Sequence, residues 1–238
     1  MNVNSKLILG FIYIVCLGIL LFFVFSYLDF KDFTDYQFIK KNSEQLLDYK
    51  EKNLLLFIFL FSIFSILWVF FLGFAFPIAI ISGFLFGQWY GALISTLSFT
   101  VGSTLLYLLA RHYFYQLIVK YLEEKIRNYK SLFKKNEFFY FMIFRFVGGG
   151  GTPFAIQNVL PVIFDMKVNN YFYSTLLGLV PGIFIANSLG SGIEGLIEKN
   201  ESLSYSSIIF DPGIYWPIIG FALVLAMSFF IKKILFKK

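Results

Sequence analysis

The stretch from Phe144 to Gly190 constrains this chain more than any other. It reads FRFVGGGGTPFAIQNVLPVIFDMKVNNYFYSTLLGLVPGIFIANSLG. Arg145 stands inside an apolar run, followed by Gly148, Gly149, Gly150 and Gly151, then Thr152 and Pro153. Pro161 lies near the end of that run, and Pro181-Gly182 falls inside the next. Helix breakers at this density are ordinary in a soluble loop, but this segment is too apolar to be one. In lipid every backbone N–H and C=O must be satisfied, so broken backbone is tolerated only where protein or a water-filled cavity surrounds it. An arginine at membrane depth is costly and marks a functional site by default. The stretch predicts a re-entrant or discontinuous helix pair lining a polar cavity.

Composition supports that setting. The 238 residues are 58% hydrophobic and 14% charged, against roughly 45–50% and 25% in soluble domains. The apolar runs are continuous rather than alternating, which argues against a barrel. The expected class is all-α, a polytopic helical membrane protein with two re-entrant half-helix hairpins. The net charge of +6 does not require nucleic acid, because basic residues collect in cytoplasmic loops. Cys16 is the single cysteine and His112 the single histidine. They form neither an intrachain disulfide nor a metal site, and no cofactor is implied.

Leu7 to Leu28 is long enough to cross about 30 Å of hydrocarbon and reads as a retained span. Asp29 to Asn53 carries five lysines and six acids. Its apolar residues Phe38, Ile39, Leu46, Leu47 and Tyr49 predict an amphipathic helix on the membrane surface. Leu54 to Phe76 is a second span, ending at Pro77. Residues 1–53, 54–231 and 232–238 thus read as an N-terminal part, a transmembrane core and a basic cytoplasmic tail. Gly83, Gly87 and Gly91 recur every four residues. They form either a small-residue packing seam or a half-helix turning back near Phe86-Gly87-Gln88. Arg111 is expected to reach the interface. From Arg111 to Glu137 there are seven basic residues and three acids, a positive-inside loop that could also contact anionic head groups. Val168 to Leu189 is a span interrupted at Pro181-Gly182, Ser188 to Pro212 an acidic loop, and Gly213 to Ile231 the last span.

Pro77–Arg111 lies over Pro153–Asn187 at an offset of 76, with Pro77/Pro153, Ala79/Ala155, Ile80/Ile156, Ser98/Ser174, Gly102/Gly178 and Ala110/Ala186 identical. Paired segments interrupted by Gly and Pro point to inverted repeats that meet at a midplane site. Charge places the Lys-rich tail and the 111–137 segment inside and the 188–212 loop outside. The second hairpin then enters from the cytoplasm. An inverted first hairpin, about 77–92, enters from the other side and gives five spans with the N-terminus outside. A cytoplasmic hairpin over 77–110 gives four.

The pattern P…SGFLFG…G…GS…AR over Pro77–Arg111 resembles the first half of the DedA superfamily, the SNARE-associated or VTT-domain proteins. Phe144–Gly190 resembles the second half through Arg145, Pro153, Asn158, Pro161, Gly178, Pro181 and Gly182. The resemblance covers about residues 54–230. It implies two facing re-entrant hairpins and movement of lipids, either phospholipids or polyprenyl phosphates. Proton-coupled members have acids in the first hairpin and a second arginine. Here no Asp or Glu stands between Leu54 and Val119, and Gly148–Thr152 and Gln157 stand where that arginine would be. In this the chain resembles the branch with the SNARE-associated label, that of the eukaryotic Golgi and ER relatives.

The expected head-group path comprises Arg145, Gly148, Gly149, Gly150, Gly151, Thr152, Pro153, Gln157 and Asn158. Arginine's fork matches phosphate oxygens, and glycines let backbone amides approach. The expected breaks are Pro77, Gly83, Gly87, Gly91, Pro161, Gly178, Pro181 and Gly182. Arg111 and Asp165 are the interfacial charges. The structural alternative for Arg145 is a pair with Asp165 or a cap on hairpin carbonyls. A solute or ion transporter of the same architecture is the alternative function; an enzyme lacks a nucleophile and base within reach. The expected partners are membrane lipids, and the expected location is a bacterial inner membrane with the C-terminus cytoplasmic.

Overall fold

The computed structural model describes residues 46–113, 133–198 and 212–235, with positions 15, 18, 19, 22, 115 and 210. The span expected at 7–28, most of the 29–53 segment, the middle of the 111–137 loop, residues 199–209 and the end of the lysine tail lie outside the described residues. The chain divides into two compact units, Met1–Phe61 and Ser62–Lys238. In the first, residues 46–52 are helical. Lys52 pairs with Asp48 at 2.7 Å, and Tyr49 meets Phe57 edge to face.

Helix α1 (Leu54–Leu72) begins in the first unit and ends in the second. There follow α2 (Phe76–Tyr113), α3 (Glu137–Phe146), a 3-10 turn at Gly148–Gly151, α4 (Phe154–Val159), a 3-10 turn at Leu160–Val162, α5 (Val168–Glu198) and α6 (Pro212–Leu235). Among the described residues three stretches, α1, α2 and Val168–Gly195 of α5, are long and apolar enough to cross a membrane. Their faces are inverted relative to a soluble protein. Helix α2 exposes Leu93, Leu97, Val101, Leu105 and Leu108 in one stripe and buries Ser95, Thr96, Ser98, Thr100, Ser103 and Thr104. Helix α5 exposes Tyr173, Leu177 and Val180 and buries Ser174, Thr175, Asn187 and Ser188. Lipid selects this arrangement. Between helices in hydrocarbon, burying apolar area drives nothing, whereas close backbone approach and polar contacts do. Thr100 and Thr104 return their hydroxyls to carbonyls one turn back, each at 2.7 Å, so neither needs water.

Helix α2 is in fact two helices. Gly87 has φ 74° and ψ 173°, and Ser82 Oγ donates to the Gly91 carbonyl at 3.1 Å. Nine residues of straight helix would separate those groups by about 13 Å. The chain therefore doubles back at Gly87, within the expected 86–88 turn. Gly83 and Gly91 consequently do not share one helix face. They stand on the two legs, and both pack against Asn187 of α5. The first leg, residues 76–86, is about 16 Å long and the second, 88–113, about 39 Å. A side chain at position 87 would meet nothing within 4 Å, so Gly87→Ala tests backbone strain alone. That φ/ψ region is essentially glycine-only, and the substitution is expected to destabilise by about 1–3 kcal/mol, read as a lower unfolding midpoint in detergent. An unchanged midpoint would mean that this turn is not held at positive φ.

The repeat persists as contacts and reaches further back than its identities. A Cβ on Gly102 would lie 2.7 Å from the Ile66 carbonyl and 3.1 Å from Val69 Cβ; one on Gly178 would lie 2.7 Å from the Met142 carbonyl and 2.5 Å from Arg145 Cβ. Ile66 and Met142, Val69 and Arg145, and Gly102 and Gly178 are each separated by the same 76 positions. Each half is a helix (α1 or α3), a glycine-containing break, a short helix opening at Pro77 or Pro153, a reversal, and a long helix. The halves also exchange contacts. Asn187 of α5 lies on the first half's turn. Its counterpart Arg111 reaches Asp165 and Met166 of the second half's turn.

Two expectations are corrected. Pro181-Gly182 does not interrupt its span: α5 runs unbroken through Pro181 from Val168 to Glu198. One proline removes one backbone hydrogen bond, and a helix packed along α2 and α6 continues past that loss. For the same reason Ser188–Glu198 is the end of α5 rather than loop. Pro161 sits at the start of the 3-10 turn, where a missing N–H matters least. Its carbonyl accepts from the Phe164 and Met166 amides at 3.2 and 3.3 Å and closes the second reversal.

Candidate functional site

Asn136 caps α3 by accepting from the Phe139 amide at 3.2 Å, and α3 ends before the glycine run, where Gly148 (φ 65°) and Gly151 (φ 83°) turn the chain. Pro153 then starts α4. This reversal sets the last turn of α3 beside α4 and brings Arg145 to Gln157 and Asn158. Arg145 is 2% exposed. Its Nη1 donates to Gln157 Oε1 at 3.3 Å, and its Nη2 to Asn158 Oδ1 and to the Tyr171 hydroxyl at 3.0 Å. Phe154, Phe141 and Tyr171 present ring faces 4.9, 5.0 and 5.8 Å from the guanidinium carbon.

Asp165 is not the partner of Arg145. It pairs with Arg111 at 2.7 Å, at the partly exposed end of α2. Among the described residues its acceptors are side-chain oxygens, not hairpin carbonyls. Among the described residues no carboxylate lies within ion-pair distance of it. The charge is held by neutral oxygens and by ring quadrupoles, the latter worth about 0.5–2 kcal/mol each. Two buried donors, Arg145 Nε and Asn158 Nδ2, have no acceptor among the described residues.

Gln157 extends the cluster to the glycine run. Its Nε2 donates to the carbonyls of Gly148 and Thr152 at 3.2 and 2.7 Å. Arg145, Gly148, Thr152, Gln157 and Asn158 are thus one connected group. Gly149 and Gly150 complete the same turn. Gly178 belongs to the site in another way: its bare Cα lets α3 close onto α5 at Arg145. Of the other expected break residues, Gly83 and Gly91 pack against Asn187 of α5, Pro77 opens the short leg of α2, Gly87 and Pro161 sit at the two reversals, and Pro181 and Gly182 lie inside unbroken α5.

Sequence reasoning missed the aromatic enclosure. Tyr171 stacks on Tyr107 with centroids 4.3 Å apart and on Phe141 at 5.2 Å. Tyr171 also donates to the Ser103 carbonyl at 3.2 Å, and Tyr107 to the Met166 carbonyl. In a chain with 34 phenylalanines and 15 tyrosines no spacing signals these rings. The offset is informative here. The first half has Val69, Ile81, Ser82 and Ser95 at the positions of Arg145, Gln157, Asn158 and Tyr171, so the buried cation belongs to one half only.

At the mouth of the second hairpin, Glu137 Oε1 accepts from the Lys167 amide at 3.0 Å and from Asn170 Nδ2 at 2.6 Å. The segment from 137 to 167 therefore returns to where it began.

Comparisons with known proteins give the family. The VTT domain matches residues 74–192, half of the chain. A Transmembrane protein 41 homolog of Caenorhabditis elegans is 25% identical over 157 residues, 62% of each protein. The uncharacterised protein YqeD of Bacillus subtilis is 29% identical over 131 residues, 54% of this chain and 60% of that one. The chain thus spans about three fifths of the length of these curated relatives. No solved structure matches it. With the matched region running from just past the Gly73 break into α5, this chain belongs to the VTT-domain family of DedA-type, SNARE-associated membrane proteins, a family associated with membrane transport.

Proposed function

We propose that the protein moves phosphate-bearing lipid head groups across the membrane along a polar path between two re-entrant hairpins. One observation carries the reading: a buried arginine at a glycine-rich hairpin tip, bound only by neutral acceptors among the described residues. A phosphate accepts stronger, charge-assisted hydrogen bonds than amides or a phenol do, so the present acceptors are replaceable by an anion. The lengths fit glycine-containing breaks at 73–75 and 148–151 that lie inside the bilayer, with the Gly87 turn at its boundary. Leg 76–86, α3 and residues 154–162 are each about 14–16 Å long, half of an about 30 Å hydrocarbon core. The leg from Gln88 to Arg111 covers about 35 Å. It has exposed Trp89 and Tyr90 beside the Gly87 turn and the Arg111–Asp165 pair at the far end. Aromatic and charged residues suit the two boundaries, and the hairpins then enter from opposite faces. The basic face of Arg111, Lys134, Lys135 and Lys167 is the cytoplasmic one by the positive-inside rule, in a bacterial inner membrane.

The test is flipping of fluorescent phospholipid, and separately of a polyprenyl phosphate, in liposomes holding the purified protein. Flipping without any gradient, slowed about tenfold or more in Arg145→Ala, is the expected result. Flipping that survives in the variant would make Arg145 structural. No movement of either lipid by folded protein would end the lipid reading and favour a solute or ion transporter of the same architecture.

A further inference from the structure

A cavity of about 690 Å³ opens where three elements meet. Arg111 lines it from the last turn of α2, Lys134 to Phe138 from the start of α3, and Asp165, Lys167 and Asn170 from the start of α5. Its charge is unbalanced. Four cations, Arg111, Lys134, Lys135 and Lys167, face two acids. Both acids are already committed: Asp165 to Arg111, and Glu137 to the Lys167 amide and Asn170. Lys134, Lys135 and Lys167 are exposed, and among the described residues none has an ion-pair partner. The N-terminal ends of α3 and α5 both open here, which adds the positive ends of two helix dipoles. Pairing Glu137 inward leaves a concave surface whose unmatched charge is all positive.

The cavity stands at the Arg111 end of α2, where the chain meets the membrane boundary in the reading above. It is also the mouth of the hairpin that holds Arg145: Glu137 and Arg145 are on one helix, about 12 Å apart along its axis. We propose that this cavity is a phosphate-binding vestibule, which takes a lipid phosphate at the boundary before the head group meets Arg145. The lipid source rests on the proposed function. The anion chemistry rests on the lining alone.

The experiment uses the full chain in neutral detergent micelles, with fluorescent phosphatidic acid as probe and inorganic phosphate and phosphatidylcholine as competitors. A Lys134→Gln/Lys135→Gln/Lys167→Gln variant is expected to bind the probe about 100-fold more weakly, the loss of three basic residues at roughly 1 kcal/mol each. The corresponding triple arginine variant keeps the charge and is expected to stay within about threefold of wild type, which separates lost charge from lost fold. Equal affinity in the triple glutamine variant would overturn the proposal. Competition by inorganic phosphate as strong as by the lipid itself would overturn the lipid source and make the cavity a site for soluble phosphate. Flipping is scored separately. Loss of binding in the glutamine variant with no flipping by wild type supports the vestibule and rejects transport. Flipping with unaltered binding does the reverse.

Discussion

Gly83→Val is expected to leave almost no folded protein. A Cβ at position 83 would strike the Asn187 carbonyl oxygen and come within 2.5 Å of Asn187 Cα. These are backbone atoms in the middle of α5, which cannot rotate aside. The partner position is equally tight: a Cβ at Gly190 would strike the Ile80 carbonyl oxygen and approach the Phe84 nitrogen at 2.7 Å. Both collisions lie where the first hairpin presses on the second half's long helix. Relieving either one means separating the halves. Overpacking in a yielding core costs about 1–3 kcal/mol; here the whole interface must open, against a total stability of about 5–15 kcal/mol. The readout is the yield of monodisperse protein after extraction, with the unfolding midpoint of what remains. Gly182→Ala is the control, since nothing lies within 4 Å of that site. It is expected to be neutral or stabilising by up to about 1 kcal/mol, the helix-propensity difference. A Gly83→Val protein with a wild-type midpoint would sink the swapped packing described above.

Asn158→Leu is expected to destabilise more than Arg145→Met, although it removes the neutral partner. Leucine leaves the Arg145 guanidinium buried with one acceptor fewer, and breaking a buried charged interaction from one side costs about 3–5 kcal/mol. Methionine removes the charge itself and fills much of the same space between Phe141, Phe154 and Tyr171. The acceptors it strands cost about 1–3 kcal/mol each, offset by the ended desolvation of the cation. The double variant Arg145→Met/Asn158→Leu is therefore expected to be more stable than Asn158→Leu alone. A double-mutant cycle on the unfolding midpoint in detergent measures this coupling. Additive effects would show that the two side chains do not hold each other.

Much of the architecture was legible because a bilayer penalises residues one at a time. Long runs without charge predicted spans, the break at Gly148–Gly151 was read directly, and the Gly87 turn was one of two readings that the spacing left open. The exception is Pro181-Gly182, which carries the same local signal as the real breaks and lies in an unbroken helix. Whether a proline breaks a helix depends on what packs beside it, and that information is not local. The three glycines at 83, 87 and 91 make the same point. Their spacing suggested one face, but the reversal at the middle one assigns the outer two to separate legs.

The sequence by itself determined the membrane class, the repeat at offset 76, and the presence of an arginine in an apolar run beside a glycine run. All of these follow from composition, spacing and the cost of polar groups in hydrocarbon. Only the tertiary structure decided what each polar group meets. It paired Arg111 with Asp165, 54 positions away. It closed Tyr171 over Arg145 and seated Asn187 on the first hairpin. Those partners are set by where two helical hairpins cross, and a crossing is a property of the packed halves together, which no window of residues contains.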